Sequence, residues 1–394
     1  MFKLTKMGNT GLYSLCNHIE QKQDLFACSL VNQWFYTCTL PFLWHFHEEH
    51  YRDSPTALIN CLAEARHPMT TYMRKLVLRE DWTKDHILRL VPHLHRLEDL
   101  TLYCDDVLGD TIIQQLPHYC PNLKALVLIA SPITLPTIHI LAQHYHHQLY
   151  KLHLHDCVHL PSRAFTPLIE HGGGDVIRDI LFSNQADGPF WTTLAVDDVL
   201  AGFPKVTHFE CNDDTPEVIE HLLMSLADLK AWPELTHLTL DGLELCDDID
   251  RYLIPCIQTH PHLTHLQLHR ADFTDATLDA LACFLPSLMY LRMDWNHTVT
   301  VDGIRRLVHQ CRTLTLVELY SCLLPAIAFP EITTTATNEC LEFDTDDNYY
   351  LVRYLDQKTI NAMRQNPYKE PQSRGIDNDD LDWLLSWERS FTLW

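Results

Sequence analysis

Residues Leu149–Leu160 read LYKLHLHDCVHL. Leu152 and Leu154 alternate with His153 and His155, the period of a strand that buries one face. Cys157 follows the strand. Either the histidines and the cysteine build a metal site, or the stretch is one copy of a recurring unit, and the second reading is decided by looking for other copies. The pattern L-x-x-L-x-L, with other apolar residues admitted, occurs as MRKLVL at Met73, LEDLTL at Leu97, LKALVL at Leu123, LYKLHL at Leu149 and IRDILF at Ile177. It continues as VTHFEC at Val206, LTHLTL at Leu235, LTHLQL at Leu263, LMYLRM at Leu288 and LTLVEL at Leu314. Successive starts lie 24, 26, 26, 28, 29, 29, 28, 25 and 26 residues apart.

Between these short strands lie helix-period segments such as TIIQQLPHYC, PEVIEHLLMSLADL, DATLDALACFL and VDGIRRLVHQC, several led by Asp or Thr suited to an N-cap. One strand with one helix cannot bury both apolar faces. Successive units must therefore stack into a curved solenoid with a continuous core. The spacing predicts about ten repeats over residues 66–327. CPNLKALVL, CRTLTLVELYSC and LHLHDCVHL resemble the cysteine-containing leucine-rich repeats. The resemblance implies a curved α/β solenoid with a parallel sheet inside and helices outside, in which Cys157 and Cys322 stand where the chain turns inward after a strand, a place for a small buried side chain.

Composition narrows the function. The chain has 394 residues, 46% of them apolar, with 29 Lys+Arg against 52 Asp+Glu and a formal charge of −23. Such a field repels phosphate backbones and anionic membranes, so neither nucleic acid nor membrane is an expected partner. No secretion signal or membrane span is legible, and the expected address is cytoplasmic or nuclear. The 14 cysteines are never closer than ten residues, so no CxxC zinc spacing occurs and reduced buried thiols are expected. His171-Gly172-Gly173-Gly174 looks like an esterase oxyanion loop, but no GxSxG elbow accompanies it, and a widened loop between repeats is the simpler reading. His45, His47 and His50 lack the HExxH order and are read as a solvated helix end. No cofactor or metal is expected. A metalloenzyme built on the histidines is the rival that metal analysis would separate.

Residues 1–50 do not share the repeat period, and 51–65 read as a connecting helix or linker. Leu15, Ile19, Leu25, Leu30, Val31, Trp34, Phe35, Leu43 and Trp44 resemble the anchors of an F-box, a small three-helix motif. The resemblance implies docking on a Skp-type adaptor of a cullin-RING ubiquitin ligase, with the repeats holding an unidentified protein target. The chain itself would then catalyse nothing. The same segment also suits a helical cap over the first repeat, in which case the protein is a binding scaffold or inhibitor unconnected with ubiquitin. Residues 328–394 read as an acidic cap or tail, with a terminal helix in DLDWLLSWERSFTLW and a mobile linker before it.

With leucines inward, the intervening strand positions form the concave face. Those expected to meet a partner are Tyr103, Val127, Ile129, His153, His155, His208, Glu210, His237, Asp241, His265, His269, Tyr290, Arg292, Asp294 and Tyr320. Val77, Ala125, Val127 and Ile129 are expected to form an exposed apolar patch. His208, His237 and His265 should form a column, beside a polar and mainly acidic surface. Charging of that column near pH 6 is expected to change partner affinity.

Overall fold

The structure, a computed structural model, describes residues 22–48, 54–64, 69–79, 82–103, 109–184, 192–213, 215–243, 248–332, 340–344 and 349–366, together with Ile19 and Cys246. Ten strands follow the ten sequence matches: β2 (Lys75–Leu78), β3 (Asp99–Tyr103), β4 (Ala125–Ile129), β5 (Lys151–His155), β6 (Asp179–Asn184), β7 (His208–Asp213), β8 (His237–Asp241), β9 (His265–His269), β10 (Tyr290–Asp294) and β11 (Leu316–Glu318). They pair in parallel with their immediate neighbours. A helix returns the chain between most of them, as α10 (Pro216–Leu229), α11 (Asp250–Thr259), α12 (Asp275–Phe284) and α13 (Val301–Gln310) do. This is the leucine-rich-repeat solenoid of the sequence reading.

The sheet extends beyond the repeats at both ends. Phe46–Glu48 forms β1, which pairs in parallel with β2, so this part of HFHEEH opens the sheet where a solvated helix end was expected, and His50 lies outside the described residues. The His45 carbonyl accepts the N–H groups of Arg74 and Lys75, which starts that ladder. At the other end Tyr354–Leu355 (β14) joins β11 in antiparallel fashion and covers the last parallel edge. The two remaining strands, β12 (Leu341–Asp344) and β13 (Tyr349–Val352), form a separate antiparallel pair, and α14 (Gln357–Gln365) follows them. Arg364 donates to the carbonyls of Val308, Cys311 and Leu314, so it satisfies orphan acceptors at the end of α13. A buried Arg305–Glu331 ion pair at 3.0 Å ties α13 to the chain beyond the repeats. The expected terminal helix and the linker before it lie outside the described residues.

Three devices recur along the solenoid. After β4, β5, β8, β9, β10 and β11 the chain steps into the left-handed region at Ala130, Asp156, Gly242, Arg270, Trp295 and Ser321. The following side chain, Ser131, Cys157, Leu243, Ala271, Asn296 or Cys322, is thereby turned into the core. Where that side chain is a cysteine, its thiol reaches back to the preceding repeat: Cys322 Sγ lies 3.0 Å from the Met293 carbonyl and Cys157 Sγ 3.9 Å from that of Leu128. Burial pushes both thiols up to about 12. Asn296 does more. Its amide donates to the carbonyls of Ala271 and Phe273, and its oxygen accepts from the N–H groups of Thr298 and Val299.

The third device is an aspartate in the first turn of one helix that holds the start of the next repeat's helix. Asp110 accepts from the backbone and hydroxyl of Thr134 and the hydroxyl of Thr137. Asp250 does the same with Thr274 and Thr277, and Asp275 with Thr300. In the HGGG loop, a Cβ at Gly174 would sit 1.8 Å from the Gly202 carbonyl. That glycine serves close packing of two repeats.

Asn296→Ala would leave the Ala271 carbonyl and the N–H groups of Thr298 and Val299 without their partner, while the Phe273 carbonyl keeps the Thr298 hydroxyl. A loss on the order of 3 kcal/mol is expected, read as a lower urea midpoint, whereas Thr313→Ala at an exposed loop should cost well under half of that.

Candidate functional site

Two surfaces can meet a partner. The first is N-terminal, where α1 (Lys22–Ser29) packs on α2 (Gln33–Leu43). Asn32 caps α2 by accepting from the N–H groups of Trp34 and Phe35, which fixes the turn between the helices. That turn carries Leu30, 71% exposed, and Val31, 62% exposed, with Phe26 also exposed on α1. Trp34 and Phe35 meet edge to face at 5.8 Å and are half-buried. The remaining expected anchors sort by packing. Leu25 is buried between the helices and so supports them; Trp44 packs against the solenoid core and stacks on His47; Leu43 and Ile19 are half-buried. Leu15 lies outside the described residues.

The second surface is the concave face of the sheet. Register sets equivalent residues side by side, so that Ala125, Lys151, Asp179, His208, His237, His265 and Tyr290 form one row and Val127, His153, Leu181 and Glu210 lie in the next. The expected apolar patch is not exposed. Val77, Ala125 and Val127 are buried, and of that group only Ile129 keeps partial exposure. Strands about 4.8 Å apart let longer neighbours close over short ones: Ala125 lies between Asp99 and Lys151, Val127 between Thr101 and His153.

The histidine column is present and dry between its rings. His208 and His237 stack at 3.9 Å with planes 17° apart, His237 and His265 at 4.1 Å and 10°, and Tyr290 continues the row at 5.7 Å. Each ring is held from behind by the preceding threonine, with Nδ1 at 2.8 Å from Thr207 Oγ1, 2.8 Å from Thr236 Oγ1 and 2.9 Å from Thr264 Oγ1. The threonines were missed in the sequence reading, although the dipeptide Thr-His recurs at the same place in VTHFEC, LTHLTL and LTHLQL. Burial, and then the neighbouring histidines, push His237 down to about 4, and burial lowers His208 and His265 as well. His237 at the centre of the column is therefore neutral at pH 6, in place of the charging expected there, and its two neighbours take up a proton below the ordinary histidine range. Nearly parallel rings also aim their nitrogen lone pairs in parallel, so they do not converge on one ion in the manner of a tetrahedral zinc site.

The acidic surface beside the column is largely self-neutralised. Asp241 pairs with Arg270 at 2.8 Å, and Asp179 with Lys151 at 3.1 Å and with His153 Nε2 at 2.6 Å. Asp294 is buried, receives Arg292 and His269 Nδ1 at 2.8 Å each, and acts as an internal hub rather than a contact residue. Arg292 reaches Glu318 at 3.4 Å and lies over the Tyr320 ring. Glu210 is raised, chiefly by burial. Burial, and then the neighbouring His153, holds His155 down to about 4. Arg79 stacks over Tyr103 at the N-terminal end. Trp295, 58% exposed in a left-handed conformation at the end of β10, is a surface aromatic the sequence reading passed over.

No family model and no curated protein sequence matches the chain. Among solved structures it is similar to a chain of the Rad7–Elc1 complex in yeast, at 15% identity and a TM-score of 0.45, over 82% of this chain and 75% of that one. It is also similar to a chain of the TLR13–ssRNA13 complex, at 16% identity and a TM-score of 0.32, over 63% of this chain and 29% of that one. Among the described residues no helix is long and apolar enough to cross a membrane.

A histidine whose folded-state pKa is depressed binds its proton more weakly when folded than when unfolded, where the value is about 6.5. The stability of the neutral column is thus fully present above pH 6.5 and is lost as pH falls through the folded value, about 4 for His237. Urea midpoints should fall between pH 7 and pH 4.5, and the fall should be smaller in His237→Gln; an equal fall in both proteins would refute the assignment.

Proposed function

We propose that this chain is the target-binding subunit of an SCF-type ubiquitin ligase. In this reading the N-terminal helices dock on a Skp-type adaptor of a cullin-RING ligase, and the concave face of the repeats holds a protein target. The observation that carries it is the pair Leu30 and Val31, two aliphatic side chains left in water at a capped turn between two helices. A segment that merely sealed the first repeat would direct such residues inward, as it does Leu25, Cys38 and Leu40. The resemblance of residues 12–46 to an F-box points the same way.

The chain would supply no catalytic group. Its contribution is proximity: a rigid solenoid holds the target so that lysines on it stay within reach of a conjugating enzyme carried elsewhere in the complex, which raises effective concentration. The reading as a scaffold or inhibitor unconnected with ubiquitin retains the concave face and drops the adaptor.

Co-expression with a Skp-type adaptor separates the two. The wild-type chain should co-purify with the adaptor, and Leu30→Asp combined with Val31→Asp should abolish this while leaving the circular dichroism spectrum and urea midpoint unchanged, because both residues are already exposed. Absence of adaptor from the wild-type preparation would leave the scaffold reading standing.

A further inference from the structure

The threonines behind the histidine column settle where its protons are. A hydroxyl has one proton, and a carbonyl only accepts. Thr207, Thr236 and Thr264 donate theirs to the carbonyls of Arg178, Thr207 and Thr236. Each threonine oxygen is then the acceptor of its histidine's Nδ1–H, so in the neutral ring the lone pair sits on Nε2. Three such acceptors, in rings about 4 Å apart, line the concave face, and none of the three has a hydrogen-bond partner among the described residues. Glu210 stands two residues along β7 from His208 on the same face, half-buried. The nearby cations are engaged elsewhere, Lys151 by Asp179, Arg270 by Asp241 and Arg292 by Asp294.

We propose that His208, His237 and His265, with Glu210 beside them, form the seat for a basic side chain, lysine or arginine, of the protein held on the concave face. The inference rests on the reading of that face as the target surface. Lysine and arginine bring only N–H donors, several to each head group, and adjacent ring nitrogens can share them. A carboxylate or phosphate would meet three lone pairs, a carboxylate and a chain of net charge −23. A neutral donor would satisfy a ring nitrogen but leave Glu210 desolvated without a counter-charge. Stacked rings also present an edge rather than a socket, which suits an extended side chain lying along the row.

The probe is a fluorescein-labelled peptide of alternating arginine and glycine, with lysine, citrulline and glutamate counterparts, titrated into the full chain at pH 7.5 and physiological salt with anisotropy as the readout. The arginine or lysine peptide should bind, and citrulline and glutamate peptides should bind about tenfold more weakly or worse. Glu210→Gln and His237→Phe should each weaken the basic peptide by a similar factor, with the urea midpoint recording that both fold. Asp228→Asn, which removes one exposed charge from the convex helix α10, should bind as wild type. The proposal is overturned by no binding of either basic peptide, by citrulline equalling arginine, by wild-type binding in both site variants, or by an equal loss in Asp228→Asn, which would mark a diffuse field. Adaptor co-purification is scored on the same preparations: a chain that takes the adaptor but not the basic peptides loses only this inference, and one that takes the peptides through the column but no adaptor loses only the ligase reading.

Discussion

Parallel pairing without a slip in register is the constraint on which the molecule depends. Because side chains alternate and neighbouring strands lie about 4.8 Å apart, every residue type that recurs at one position of the repeat is set in a column with its equivalents. Inward columns make the leucine core, continuous from Leu76 to Val317. Outward columns make surfaces that no single repeat possesses. Three histidines separated by 29 and 28 residues in the chain become a stack with ring centroids about 4 Å apart only because that register holds. A shift of one residue would exchange core for surface throughout a unit.

The same closeness governs charge. A chain with 52 acidic residues suggests an acidic concave wall, yet Asp179 and Asp294 have a basic partner on a neighbouring strand or on the same one, and Asp241 has Arg270, just past the end of β9. Pairs of this kind, partly buried, lose most of their Coulomb gain to desolvation and are better regarded as fixing side-chain position than as a source of stability. What they leave facing the groove is a less charged, hydrogen-bonding surface in which the unengaged histidine edges and Glu210 stand out.

The architecture was legible in the sequence because a repeat states its pattern ten times, and errors in one copy are outvoted by the rest. Leucine positions and the helix starts at Thr274 and Thr300 follow from period and capping chemistry, and the inward turn at Cys157 from the resemblance to cysteine-containing repeats. Burial on the concave side was not legible, because whether Val127 is exposed depends on the lengths of Thr101 and His153 on other strands, a property of neighbours rather than of the residue. The closing strands were missed for a related reason. Phe46–Glu48 and Tyr354–Leu355 are too short to display an alternation of their own, and they become strands because a partner edge is waiting. Trp295 and Asn296 could have been found, since they follow β10 at the position where Asp156 and Cys157 follow β5. The adaptor anchors depended on resemblance; the helix pair shows which of them face water, not what covers them.

The buried thiols give the solenoid an internal record of its own breathing. Cys157, Cys256, Cys311 and Cys322 belong to different turns of the coil, and burial holds each in the protonated, unreactive form, at about 12 for all but Cys311, which is at about 11. A thiol so placed meets an alkylating reagent only when its own turn opens. The rates at which these cysteines are modified would therefore trace, turn by turn along one chain, how local opening is distributed, and whether occupation of the concave groove stills the middle of the coil more than its ends.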